Sequence, residues 1–364
     1  MAETIRIPAE TLRQQLRNIF MAWGMAEAVI QPTVDVMIET DLRGIDSHGI
    51  GMMPMYAEMR RQGRLNMQPN IEVLRETPVT ALIDGDSGLG HAASTIAMNL
   101  AIKKAKAAGL AAVTVRHSRH YGAAGAYALM AAREGLIGLA STNAGSRAVV
   151  PTRAMEPVFG TNPIAFAAPA KNNKPFVIDM ATSTVAVGKV KLAVYNDKPL
   201  PEGWVVDPTG AGVRNAPDAF DGFGRLAEGY GITPLGGLAA LSSHKGYGLA
   251  AMVEILCSML PGTPFIGAMD DNSEHHTGHF FLAIDPAAFR EEGEFETELD
   301  AMIDHLHGLS PSDPDLPVLV PGDPEDSAHA DRLANGVPIP AMLMQAMADV
   351  CRDANVEFLL NRSV

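Results

Sequence analysis

Two histidines stand in short polar runs where an imidazole could move a proton. His48 lies at the centre of IDSHGIG (45–51), with Asp46 and Ser47 just before it, so an acceptor and a hydroxyl lie close to its ring. His120 lies in VTVRHSRHYGAAG, just past the end of one expected strand and ahead of an expected helix, where open α/β sheets bind ligands. An imidazole with a pKa of about 6.5 gives or takes a proton at neutral pH, which carbonyl reduction needs. Capping of the following helix would explain His120 equally well, and an ordinary surface loop would explain His48. A Ser-His-Asp reading of Asp46, Ser47 and His48 fails: adjacency in sequence does not align nucleophile, base and orienting acid, and no G-x-S-x-G elbow is present.

Three further motifs bear on ligands. SSHKGYGLA (242–250) opens a helix with His244 and Lys245, and its glycines, cation and helix-start amides suit a pyrophosphate or carboxylate. DGDSGLGHAA follows an expected strand and spaces Gly88, Gly90 and Ala93 as a dinucleotide fingerprint does. That fingerprint wants an acid about 20 residues on for the ribose, and no Asp or Glu occurs between Asp86 and Glu134. The segment therefore reads as a tight turn. His275, His276 and His279 in EHHTGHFF invite a metal, but HExxH is absent and the run leads into a strand, so no metal is expected.

The elements that must position these groups follow from periodicity. Leu12, Leu16, Ile19, Phe20 and Trp23 recur at helical spacing after Pro8 and stop at Gly24; Val34, Met37, Ile38 and Leu42 mark a second helix that Gly44 closes. Residues 7–75 read as a helical unit. From residue 78, short apolar runs alternate with Ala-rich helices: VTALI, helix 92–108, LAAVTV, helix 123–134, LIGLAST. Further strands are expected at IAFAA (164–168), FVIDM (176–180) and HFFLAID (279–285), with helices near 184–194, 246–260 and 294–307. Residues 195–243 look loop-rich, and helical patterns at 326–335 and 339–355 end the chain.

At 364 residues and 47% hydrophobic, the chain can bury a large core and divide into two packed units. A net charge of −14 argues against a nucleic-acid partner. Only Cys257 and Cys351 are present, which excludes a disulfide framework and suits a reducing cytoplasm. The N-terminal residues lack an apolar export core, and Glu254 interrupts the most apolar helix, so neither export nor membrane association is expected.

Seven ordered motifs carry a resemblance: DLRGIDSHG, SRHYGAAG, GTNPIAFAAP, DMATSTVAVGK, SHKGYGLA, GHFFLAIDP and VPGDPE. Across roughly residues 8–355 the chain resembles the type-two malate/L-lactate dehydrogenase family, which also includes ureidoglycolate and sulfolactate dehydrogenases, diketogulonate reductase and piperideine-2-carboxylate reductase. The resemblance implies an α/β fold: a non-Rossmann NAD(P)-binding mixed-sheet domain (76–325) plus a smaller helical domain (1–75 with 326–364). It implies a homodimer that transfers hydride between NAD or NADP and a small 2-oxo or 2-hydroxy acid. His48 and His120 would be proton donor or acceptor, with Ser47 adjacent. Asp179, Met180, Ala181, Thr182, Ser183, His244, Lys245, Gly322, Asp323 and Glu325 would contact the coenzyme, with Asn143 a weaker carry-over.

Two departures from the family pattern bear on the substrate. Many members have arginine where this chain has Met52, and asparagine where it has Arg119. A missing cation weakens or redirects carboxylate binding, so Arg119, Arg43 or Arg147 is expected to supply it, or the substrate differs from malate and lactate. A cyclic imino acid is the alternative substrate class, and a coenzyme-binding protein without catalysis is a remote one.

Overall fold

The computed structural model describes residues 4–195, 197–223, 229–268 and 276–361. Near the N-terminus, α1 (Ala9–Ala22) buries Leu12, Leu16, Ile19 and Phe20 completely, the stripe that four-residue spacing dictates. Gly24, at φ +81°, ends it in a conformation that side chains resist. Next come α2 (Glu27–Leu42), a single 3₁₀ turn (Ile50–Met52) and α3 (Met53–Arg61). These helices share one apolar core with α11 (Ala341–Ala354), in which Met37, Tyr56 and Met347 are fully buried. Each such side chain is worth about 1.5–3 kcal/mol relative to exposure.

A seven-stranded sheet forms the second core. In spatial order it runs β2 (Glu72–Glu76), β3 (Thr80–Asp84), β4 (Leu110–Ser118), β11 (Thr277–Ile284), β5 (Ile137–Thr142), β6 (Ile164–Ala168) and β7 (Phe176–Met180). Only β3 and β4 pair in parallel, across the helix α4 (Gly90–Ala108); the other neighbours are antiparallel. Alanines of α4 and of α5 (Ala124–Arg133) pack with Val113, Val115 and Phe281 of the sheet. The fold is thus mixed α/β around one large mixed sheet.

A third cluster joins Val149, Phe159, Val190 and Leu200 with Ala250. It is built by α6 (Val187–Tyr195), α7 (Ala216–Phe223), the two-residue strands β8 (Val205–Val206), β9 (Gly212–Val213) and β10 (Gly231–Ile232), and α8 (His244–Glu254), which continues into a π-helical turn at Ile255–Met259. Two helices, α9 (Glu294–His307) and α10 (Asp323–Asn335), precede β12 (Val337–Pro340), which pairs antiparallel with β1 (Thr4–Ile7).

The structure corrects the sequence reading in three places. Residues 72–75, read with the helical unit, belong with Glu76 to an edge strand of the large sheet, Glu72–Glu76. The expected helix at 339–355 starts at Ala341, because Val337–Pro340 is spent on pairing with β1. Residues 195–243 hold a three-stranded sheet and a helix; two-residue strands are too short to show a period.

Candidate active site

The loop after α2 and the loop after β4 bring the two histidines together. The rings of His48 and His120 stack with centroids 5.5 Å apart, and both side chains are half-buried. Ser47 Oγ lies 2.7 Å from His48 Nδ1. Tyr56, fully buried on α3, places its hydroxyl 2.7 Å from His120 Nδ1, and the Gly122 N–H donates to the same nitrogen at 3.3 Å. Burial drives the Tyr56 pKa well above its usual 10, so its hydroxyl keeps its proton. Two donors therefore converge on His120 Nδ1, and the neutral ring must carry its own proton on Nε2.

Electrostatics keep both rings neutral. Burial lowers the pKa of His48. Burial first, then the neighbouring His48, His91 and His279, lowers that of His120 much further. His91, fully buried, sits edge-on to Tyr56 at 5.9 Å with neither ring nitrogen hydrogen-bonded, and burial pushes it down to about 3. His279, likewise at about 3, is held by the hydroxyls of Thr142 and Ser118 at 2.7 and 2.9 Å.

The His48 loop is clamped from below. Asp41, 1% exposed, accepts the Ile50 N–H at 2.9 Å, and burial raises its pKa to about 7. Gly49 packs so closely on this carboxylate that a β-carbon there would meet it. Arg332 of α10 donates to Asp41 O at 2.7 Å and pairs with Asp46. Spacing revealed none of Tyr56, Asp41 and His91, because each acts through a contact that no helical or strand period places.

The expected ligand residues are distributed unevenly. Asp179 takes the Gly125 N–H at the start of α5 at 2.7 Å, and burial raises its pKa to about 6. Asp179, Glu325 and Arg43 line one cavity of about 20 Å³, roughly the space of one water. Arg43 is held by Glu39 at 2.9 Å and Asp326 at 3.1 Å. Met180 is exposed and Ala181 half-buried. Thr182 and Ser183 are buried and donate to Thr161 O and Asn162 O, and to Val185 O. Asn143 is also buried and turned inward, accepting from Gly278 N at 2.7 Å and donating to Glu254 at 3.5 Å.

His244 and Lys245 are exposed at the start of α8. Gly322 caps α10 at φ +109°, and Asp323 takes the Val320 N–H and His307. Arg119 is buried, 2% exposed, Arg147 is half-exposed, and Met52 is half-buried in the 3₁₀ turn. His276 packs against His117, 4.4 Å between rings, whereas His275 lies outside the described residues. A cavity of about 830 Å³ between β1 and α10 contains neither His48 nor His120. The donor set fits a dinucleotide chemically: acids for ribose hydroxyls at Asp179 and Glu325, and a cation at a helix start for the diphosphate at Lys245.

Residues 7–348 match the family described as malate/L-lactate dehydrogenase. The chain belongs to that family. A malate dehydrogenase of Pyrococcus horikoshii is 38% identical, over 98% of this chain and 97% of its own length. An L-sulfolactate dehydrogenase of Methanocaldococcus jannaschii is 34% identical, over 94% and 96%. The crystal structure of malate dehydrogenase from Entamoeba histolytica superposes with a TM-score of 0.92 at 30% identity, covering 98% of this chain and 99% of that one. This family member is a nicotinamide-dependent hydroxy acid dehydrogenase. No helix among the described residues is long and apolar enough to cross a membrane.

Proposed function

We propose that His48 and His120 handle the hydroxyl proton of a small 2-hydroxy acid at the cleft they share, with unequal roles. A nicotinamide coenzyme, when bound, supplies or accepts the hydride. The stacked imidazole pair, with Tyr56 and Gly122 both donating to His120 Nδ1, carries the reading. A ring fixed as the Nε2–H tautomer and kept neutral is suited to hold the substrate oxygen by donating a hydrogen bond, not to release its proton. His48, whose pKa is less depressed and whose Nδ1 meets only a serine hydroxyl, is suited to take the hydroxyl proton during oxidation and return it during reduction.

The remaining assignments rest on the resemblance together with chemistry on these elements. The neighbouring acids Asp179 and Glu325 would repel a phosphorylated ribose, which favours two free hydroxyls, NAD over NADP. The mainly antiparallel sheet supports coenzyme binding on a mixed-sheet, non-Rossmann domain. The division would be residues 1–75 with 326–364 against 76–325, with β2 moved to the second unit. Arg119, Arg43 and Arg147 are the candidates for the substrate carboxylate, and Arg43 also pairs with Glu39 and Asp326. The assembly is a homodimer, and light scattering on the purified chain tests it.

Single replacements His48→Gln and His120→Gln test the pair. Each should lower kcat by about 100-fold or more, the share that positioned acid-base groups supply. Full activity in either variant would remove that histidine from the mechanism.

A further inference from the structure

The turn in DGDSGLGHAA, which lacks the ribose acid of a dinucleotide site, carries a second chemical constellation. β3 ends on Asp84, and the parallel strand β4 brings His117 beside it. Ser87 Oγ is 2.8 Å from His117 Nε2, and His117 Nδ1 is 2.9 Å from Asp84 Oδ1. Asp84 also takes the Asp86 N–H at 2.9 Å and Arg116 Nε at 3.1 Å. Partial burial pushes its pKa up, but these donors hold it below the usual carboxylate range.

An ionised carboxylate can only accept, so the His117 proton sits on Nδ1 and Nε2 is left to accept from the Ser87 hydroxyl. Serine, imidazole and acid are then linked in the order and tautomer that nucleophilic catalysis needs. Asp86, Ser87 and His117 have φ of +46°, +56° and +50°, a conformation costly for residues with a side chain. The strain is held in place from both sides: Ser87 N–H donates to His117 O at 2.8 Å, and Asn66 N–H donates to Ser87 O at 3.0 Å. Ser87 lies on the bend between β3 and α4, and both its side chain and that of His117, 40% exposed, are reachable from solvent.

We propose that Ser87 is an activated nucleophile that accepts the acyl group of small activated esters, a hydrolytic activity separate from dehydrogenation. Ser87 Oγ bonds to the carbonyl carbon while its proton passes to His117 Nε2. The ester C–O bond breaks, and the leaving alcohol takes that proton. Water, deprotonated by the same nitrogen, then attacks the acyl-serine, releasing the carboxylic acid and restoring the Ser87 hydroxyl.

The turn also sets the limit of this activity. The N–H groups of Ser87 and Gly88, which would otherwise stabilise an oxyanion, are spent on His117 O and Gly85 O at 2.8 and 3.0 Å. Each missing oxyanion donor costs about 100-fold or more. The reactive substrates are therefore aryl esters with good leaving groups, not alkyl esters or amides.

The test treats the full chain with p-nitrophenyl acetate, follows nitrophenolate release, and locates the acetyl group by peptide mass spectrometry. The acetyl group should appear on Ser87, vanish in Ser87→Ala, persist in Ser87→Cys, and form about 100-fold more slowly in His117→Gln. Dehydrogenase activity of Ser87→Ala should match the parent, which reports that the variant is folded. Acetyl found only on lysines or the N-terminus would overturn the proposal, as would Ser87 labelling at the parent rate in His117→Gln. The turn would then be a hydrogen-bonded staple.

Discussion

Replacing Gly49 by alanine probes how the His48 loop is held. A methyl at this position would sit 2.5 Å from Asp41 Oδ2, with the rest of the carboxylate closer still, where ordinary contact needs 3.4–4 Å. Asp41 has no room to retreat, being 1% exposed and fixed by the Ile50 N–H. The loop must therefore move by about 1 Å, carrying His48 away from His120. A displacement of that size costs about 100-fold in rate, or about 2.7 kcal/mol of barrier. Losing the Ile50 bond to the buried acid removes a further 0.5–3 kcal/mol of stability, roughly the span from a neutral to a charged acceptor, since Asp41 titrates at about 7. Steady-state kcat and the urea midpoint read the two effects separately. Adding Asp41→Ala makes room for the methyl, so the double variant should recover part of kcat despite carrying two changes. Gly248→Ala in α8, which meets nothing within 4 Å, should be neutral or stabilising by about 1 kcal/mol in the same urea assay. Parent-like kcat in Gly49→Ala, or a double variant slower than both singles, would refute the clamp.

Tyr56→Phe keeps the ring in the core and removes one donor to His120 Nδ1; since Gly122 still fixes the tautomer, kcat should fall only about 10-fold, one buried hydrogen bond. With the His48 pKa below its usual 6.5, kcat/KM for oxidation should hold level at neutral and alkaline pH and fall on the acid side, while reduction gains as pH falls; an oxidation profile that instead keeps rising between pH 7 and 9 would count against a histidine base. His91, at about 3 when folded against 6.5 unfolded, adds stability fully present above pH 6.5 and lost progressively toward pH 3, about 2 kcal/mol by pH 5. Asp41, raised to about 7, runs the other way, so the contribution is read as a difference: His91→Phe should lose about 2 kcal/mol less than the parent between pH 7 and pH 5 in urea titrations. Asp179→Asn should lower the kcat/KM ratio of NAD over NADP by about 10-fold, one unit of charge repulsion near the ribose.

The residue types of the candidate site are readable in the sequence because acid-base chemistry draws on loops: a histidine after Ser47 and another after a strand end can be singled out by type and place alone. The main helices and the central strands were legible through their periods, as the fully buried stripe of α1 shows. What holds the histidines was not. Tyr56 looks like one more core aromatic, and only the turn at Ile50–Met52 aims its hydroxyl at His120. Asp41 reads as a polar residue at a helix end, and its burial beneath Gly49 depends on how the loop folds back. β2 was missed because an edge strand exposed on both faces has no alternation to read.

The same burial that hid these supports decides how the site divides its labour. Four imidazoles, His48, His91, His120 and His279, crowd one region, and a proton added to His91, His120 or His279 would meet both desolvation and its neighbours. The cluster therefore stays neutral at pH 7, and a proton entering it goes to the ring with the least to lose. That ring is His48: burial is the one cause lowering its pKa, whereas His120 is also opposed by three other histidines. On the proposed mechanism, two histidines that look interchangeable in sequence are thus made unequal by their neighbours, one suited to carry charge and one to orient the substrate.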